Sequence, residues 1–204
     1  MTLNRFVLFP LIALTAAGIA LAQEAPRAPV RATIETVSSD GATLAVRTRG
    51  GDERTVRLSD TANVTLIVPA SLADVKPGAF IGVAALPGQD GSLKAMEVHI
   101  FPESMRGAGE GHRPFDIAPG STMTNGAISA RVNASDGARL TVAYKGGEQT
   151  IVVDPKAPIV GFEPGARSDL KQGAAIIAFG PRAEDGSISA AYVLVGKDGL
   201  VPPL

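Results

Sequence analysis

Cysteine and tryptophan are both absent from the 204-residue chain. Without cysteine there are no disulfides, no thiolate metal sites and no thiol nucleophile. Stability must come from burying apolar surface, and about 180 residues are enough to do so in one or two domains. Aromatic residues make up only 4% of the chain, and two of its seven phenylalanines, Phe6 and Phe9, fall near the N-terminus. Broad stacking platforms for bases or sugars are therefore poorly supplied. Charge of one sign is missing too: 19 basic against 20 acidic residues leave a net charge of −1. A nucleic-acid or polyanion binder would need a basic footprint, so no nucleic-acid partner is expected. Histidine occurs only twice, at His99 and His112, which limits imidazole chemistry to that pair.

Long apolar runs are confined to the N-terminus. Arg5 precedes an apolar stretch over residues 6–20, and Ala20-Leu21-Ala22 forms a small-x-small cleavage pattern. This reads as a secretory signal over residues 1–22, followed by a polar spacer over 23–29. No later segment approaches the ~20 apolar residues of a membrane-spanning helix, so no span is expected after signal cleavage. The expected location is periplasmic or secreted.

Self-similarity sets the architecture. VSSDGATLAVRTRGGDERTVRL (37–58) aligns with VNASDGARLTVAYKGGEQTIVV (132–153). PASLADVKPGAFIGVAALPGQDGSLKAMEV (69–98) aligns with PGARSDLKQGAAIIAFGPRAEDGSISAAYV (164–193). The Asp-Gly turns and the Gly-Gly pairs fall in register, so the chain carries a tandem duplication. Leu44, Val46 and Thr48 alternate with Ala45, Arg47 and Arg49, the period of a half-buried strand. Gly50-Gly51 and Gly146-Gly147 suit tight hairpins. Residues 71–76 and 168–171 are too short for a packed helix and read as one helical turn, ended by Gly78 and Gly173. Two further strands, 79–86 and 93–101 in the first copy, follow it. The order β-β-β-short helix-β-β predicts an all-β protein of two tandem OB-like five-stranded barrels, over residues 30–101 and 125–196. An immunoglobulin-like sandwich is the alternative, but it would want about seven strands and no helical turn. Residues 102–124 form a Gly/Pro-rich bridge, and 197–204 a tail.

The pattern V-x-x-DG-x-x-L-x-V, then GG-x-x-x-x-V, then SLADVKPG with strands flanking a DGS turn, resembles a bacterial envelope domain of unknown function. That family is similar in being OB-like and often tandem. The resemblance spans residues 30–196, with the second copy (RSDLKQG) the looser match. It implies an exported small barrel without catalytic residues. Sequences of this type are sometimes labelled in relation to metal ABC transport, which implies a periplasmic accessory role and not a permease.

Chemistry has few places to reside. No G-x-S-x-G elbow is present, and Asp40, Asp90, Asp136 and Asp185 stand in turns, where aspartate shapes the backbone. The run GAGEG (107–111) is followed by His112-Arg113-Pro114 where a phosphate loop would open a helix. The chain is therefore not expected to be an enzyme or to need a cofactor. A divalent transition metal is a candidate ligand of His99, His112, Glu97 and Glu110, since two histidines and a carboxylate suit Zn²⁺ or Fe²⁺. The second copy lacks this set, carrying Tyr192 and Leu194 where the first has Glu97 and His99. Arg47, Arg49 and Arg57, on the face OB folds use for ligands, could grip an anionic glycan or a small anion. In the bridge, Phe115 and Ile117 supply an apolar anchor, which predicts that it docks between the copies. The expectation is a non-catalytic exported binding protein whose partner is an envelope protein or a small ligand.

Overall fold

The computed structural model describes residues 29–88, 91–134 and 137–203. The expected signal over 1–22 and the spacer up to residue 28 lie outside the described residues. Among those described, the protein is all-β, with helical structure limited to four short 3-10 turns. The first repeat contributes β1 (Val30–Val37), β2 (Thr43–Thr48), β3 (Glu53–Ala70), β4 (Phe80–Pro87) and β5 (Leu93–Ile100). The bridge adds β6 (Gly111–Pro114). The second repeat contributes β7 (Thr122–Ala134), β8 (Gly137–Tyr144), β9 (Gly147–Val153), β10 (Ile159–Pro164), β11 (Ala175–Phe179) and β12 (Ile188–Gly196).

Strand pairing does not follow the repeats. Strands β1, β2 and β3 close into a five-strand barrel with β11 and β12 of the second repeat, through antiparallel β1–β11 and parallel β3–β12 pairing. Strands β7, β8 and β9 complete an equivalent ring with β4 and β5 of the first repeat, through antiparallel β4–β7 pairing. A short parallel contact, Leu93 opposite Ile151 and Lys94 opposite Val152, closes this second ring. The boundaries 30–101 and 125–196 thus delimit sequence repeats, while each ring is assembled from parts of both.

The cause lies after the third strand of each repeat. The first repeat's third strand, β3, bulges at residues 59–62 and runs on to Ala70. Its distal arm pairs antiparallel with β10, Thr65 opposite Pro164 and Ala70 opposite Ile159, with Ile67 facing Phe162 at the centre. This two-stranded ribbon has pseudo-twofold symmetry, since Ile67 and Phe162 hold equivalent positions in the two repeats. Each arm carries its repeat's last two strands across to the other ring, as in domain swapping.

At the far end of each arm comes the expected helical turn, Leu72–Asp74 and Arg167–Asp169. The Asp74 carboxylate accepts from Ser71 N–H at 2.9 Å and Ser71 Oγ–H at 2.7 Å, and these bonds hold its pKa below the usual aspartate value. Gly78 and Gly173 follow at φ +80° and +84°, a region that a side chain disfavours.

Two cores fill the rings. Leu44, Val46, Val56, Ile176, Ile188 and Val193 pack inside the first, and Ile81, Val83, Val98, Leu140, Val142 and Ile151 inside the second. A third cluster lies between them, where Ile67, Ala84, Met123, Val160, Ile177 and Leu194 are buried. Strand alternation explains it. On β11, Ile176 and Ala178 point into a ring while Ile177 and Phe179 point to the space between rings. Strands β4, β5, β11 and β12 therefore bury side chains on both faces, each fully buried Ile, Leu, Val or Phe contributing about 1.5–3 kcal/mol.

The bridge is docked. Phe115 and Ile117 pack against the central cluster, as their apolar character predicted. Both terminal nitrogens of Arg31 donate to the Asp116 carboxylate, at 2.9 and 3.0 Å, tying the bridge to β1. Arg31 holds the Asp116 carboxyl below its ordinary pKa.

Candidate functional site

Between the rings, against the central ribbon, lies a cavity of about 310 Å³. That volume falls at the lower end of the range for small-molecule pockets. Its walls hold Phe101, Phe115, Phe162, Phe179 and Tyr192. An aromatic-poor chain thus gathers there four of the five phenylalanines beyond its N-terminal segment. Phe101 and Phe162 stack at 5.1 Å between centroids, and Phe179 meets Tyr192 at 5.6 Å. Bridge residues Met105, Ala108, Gly109 and Arg113 form one side.

The walls are built from equivalent positions that have diverged. Arg31 on β1 and Asn125 on β7 are counterparts, pairing respectively with Ile177 on β11 and Gly82 on β4. Likewise Tyr192 and Leu194 on β12 occupy the places of Glu97 and His99 on β5. One wall is consequently apolar apart from Arg31 and the Tyr192 hydroxyl, whereas the other carries His99, Asn125 and, behind them, Glu97. Gly82 makes this possible: a Cβ there would lie 2.7 Å from Asn125 Oδ1. Asn125 Nδ2 donates to Ala108 O at 3.0 Å, which fixes the amide and holds the bridge. Its Oδ1 is buried with no hydrogen-bond partner among the described residues.

Glu97 and His99 form a buried pair, 1% and 3% exposed, with Nε2 and Oε1 2.7 Å apart. The approach lacks hydrogen-bond alignment, and neither Glu97 oxygen has another partner among the described residues. The imidazole meets the Phe162 ring edge-on at 5.3 Å and lines the cavity, screening the carboxylate from it.

Of the residues proposed as metal ligands, the structure brings together Glu97 and His99 alone. His112 pairs with Thr124 in the β6–β7 register, and its Nδ1 lies 2.8 Å from Thr124 Oγ1. Thr124 precedes Asn125 on β7, so strand alternation puts His112 on the face away from the cavity. The ring stacks instead on Tyr144, at 6.3 Å. Glu110 is engaged elsewhere, accepting from Lys145 N–H at 2.9 Å. Among the described residues, no three His, Cys, Asp or Glu side chains converge.

The arginines on the first barrel each have a different partner. Arg47 bonds Glu35 at 2.6 Å and Glu53 at 3.0 Å, and Arg49 donates to Pro202 O at 2.5 Å. Arg57 bonds Asp185 at 3.2 Å and also Ser187 Oγ. The Asp185 carboxyl is held down to about 2, chiefly by hydrogen bonds from Ser187 Oγ–H and N–H, with Arg57 adding to them. The three guanidinium groups therefore brace the barrel surface and its turns and do not converge on a common point.

The cavity escaped the sequence reading, which treated the strands as half-buried. A signal was present: AFIGVAAL and AIIAF are apolar at both parities, the pattern of strands buried on both faces. No family model, curated protein or solved structure matches the chain.

Proposed function

We propose that this protein is an exported, non-catalytic binding protein of the bacterial cell envelope, built on two OB-like barrels, and that its ligand occupies the cavity between them. The cavity carries the proposal: about 310 Å³, walled by most of the chain's aromatic side chains and closed on one side by a docked bridge. Such concentration of rings has a large energetic weight in binding small apolar bodies. The strand orders β1-β2-β3-β12-β11 and β7-β8-β9-β5-β4, with one parallel pair each, support the OB-like reading. Export rests on the N-terminal signal pattern, and the envelope setting on the family resemblance.

The alternative of a metal-binding accessory draws less support, since His112 and Glu110 face away from the Glu97–His99 pair. Anion binding on the Arg47, Arg49 and Arg57 face would first have to break their internal bonds. The test of the cavity is a thermal-shift screen of small apolar and amphiphilic molecules on the wild type and on Ala108→Trp, which fills the space from the bridge. Compounds that stabilise the wild type and not the variant support the proposal. Equal stabilisation of both, or none at millimolar ligand, would refute it.

A further inference from the structure

We infer that the cavity takes a small monocarboxylate with an apolar body, its carboxylate held by Arg113 and Arg31 and its body seated among Phe101, Phe162, Phe179 and Leu194. This inference rests on the cavity being the ligand site and adds the class of ligand.

The lining itself states the sign of the charge. Among the described residues that touch the cavity there are two guanidinium groups, Arg31 and Arg113, and no carboxylate. Glu97 lies behind His99, its Oε1 2.7 Å from His99 Nε2, and does not reach the cavity wall. Asp116 occupies the two terminal nitrogens of Arg31 and so fixes that side chain in place. Of its other donors, Arg31 Nε–H is buried without a hydrogen-bond partner among the described residues. A buried donor left unmade is costly, and an anionic acceptor would satisfy it. Arg113 has no carboxylate within salt-bridge distance among the described residues. One of its terminal nitrogens donates to Gly109 O at 2.6 Å, which holds the group against the bridge and leaves its other nitrogens for a ligand. Guanidinium groups suit carboxylates because their donors match two oxygens at once.

The remainder of the wall sets the other half of the ligand. Ile177, Leu194, Met123 and the phenylalanine rings offer no hydrogen bond, so they favour a hydrocarbon or aromatic body. At about 310 Å³ the space suits a small molecule and excludes a glycan chain or a peptide segment. The asymmetry between repeats has a use in this account: one copy supplies the polar wall and the other the apolar one.

The test uses three probes with the same body, octanoate, octanol and octylamine, titrated calorimetrically below their aggregation concentrations. Octanoate is expected to bind at least tenfold more tightly than octanol, and octylamine more weakly than both. Arg113→Gln is expected to abolish the preference for octanoate while leaving octanol affinity within about twofold, and Arg113→Lys to keep part of it. Raising salt to 1 M should shrink the preference in the wild type, because the Debye length falls to about 3 Å. Equal binding of octanoate and octanol, both lost in Ala108→Trp, would overturn the carboxylate assignment and leave the cavity as the site. Preference for octylamine would overturn the assignment equally. Binding of no probe, or binding unchanged by Ala108→Trp, would remove the site together with the ligand class.

Discussion

Shared rings predict shared stability, and matched core truncations measure it. Leu44 and Leu140 hold equivalent positions in the two repeats, one in each ring, and both are fully buried. Truncation to alanine at such a site costs about 3 kcal/mol, from lost transfer free energy and the cavity left behind. If the interleaved strands make the protein one cooperative unit, calorimetry shows a single transition. Each variant then lowers its midpoint by roughly 6–12 °C, the scale for a domain of 150–250 residues. The double variant should lie close to the sum, since the two sites share no contacts. The ratio of van't Hoff to calorimetric enthalpy should stay near one. Independent barrels would give a different pattern. Two transitions would appear, Leu140→Ala would move only one of them, and that one by roughly 12–24 °C, because a smaller unit has a smaller unfolding entropy. That outcome would refute the claim that exchange of strands couples the rings.

Two further outcomes follow from local geometry. Asp185 has a folded-state pKa of about 2, below its ordinary value of 3.8, so it contributes stability that is full above about pH 4 and lost as pH falls through about 2. Asp185→Asn should therefore flatten the acid limb of a midpoint-versus-pH profile between those values, and an unchanged slope would argue against the Ser187 and Arg57 bonds. At Gly82 the space for a side chain is filled by Asn125 Oδ1 at 2.7 Å and the Phe101 ring at 3.0 Å. Gly82→Ala should cost about 1–3 kcal/mol in denaturant unfolding, and a neutral result would mean that Asn125 is not fixed as described.

Much of the fold was legible. Period-two alternation at Leu44-Val46 and Leu140-Val142, the Gly-Gly hairpins and the Ser71–Asp74 turn all appear as local sequence predicted. Local patterns are readable because they depend on neighbours a few residues apart. Partner choice between strands is another matter. Phe80 and Ala175 are equivalent positions with similar surroundings, so either repeat's fourth strand satisfies the pattern of β1. What decides between them is the straight arm through Ile67 and Phe162, a tertiary pairing with no local signature. The same limit hid the site. His99 and Glu97 were picked out as chemistry-bearing, and the structure does place them beside a cavity. The Phe162 ring that His99 meets, and Phe179 and Tyr192 elsewhere in the cavity wall, belong to the other repeat. His112, close in sequence and of the right residue type, is turned to the opposite face by the two-residue period of its partner strand.

The exchange of strands positions everything else, and the absence of cysteine makes it directly measurable. Thr33 on β1 lies directly opposite Ala175 on β11, whereas a barrel closed within one repeat would set it opposite Phe80. Opposed residues of an antiparallel pair have Cα atoms about 4.5–5.5 Å apart, within disulfide range. The double variant Thr33→Cys with Ala175→Cys should oxidise to an intramolecular disulfide in nearly all molecules, and Thr33→Cys with Phe80→Cys should keep free thiols, as read by mass spectrometry of the native protein. A bond in the second pair and none in the first would show that each repeat closes its own barrel, and would remove the cavity between the rings as described.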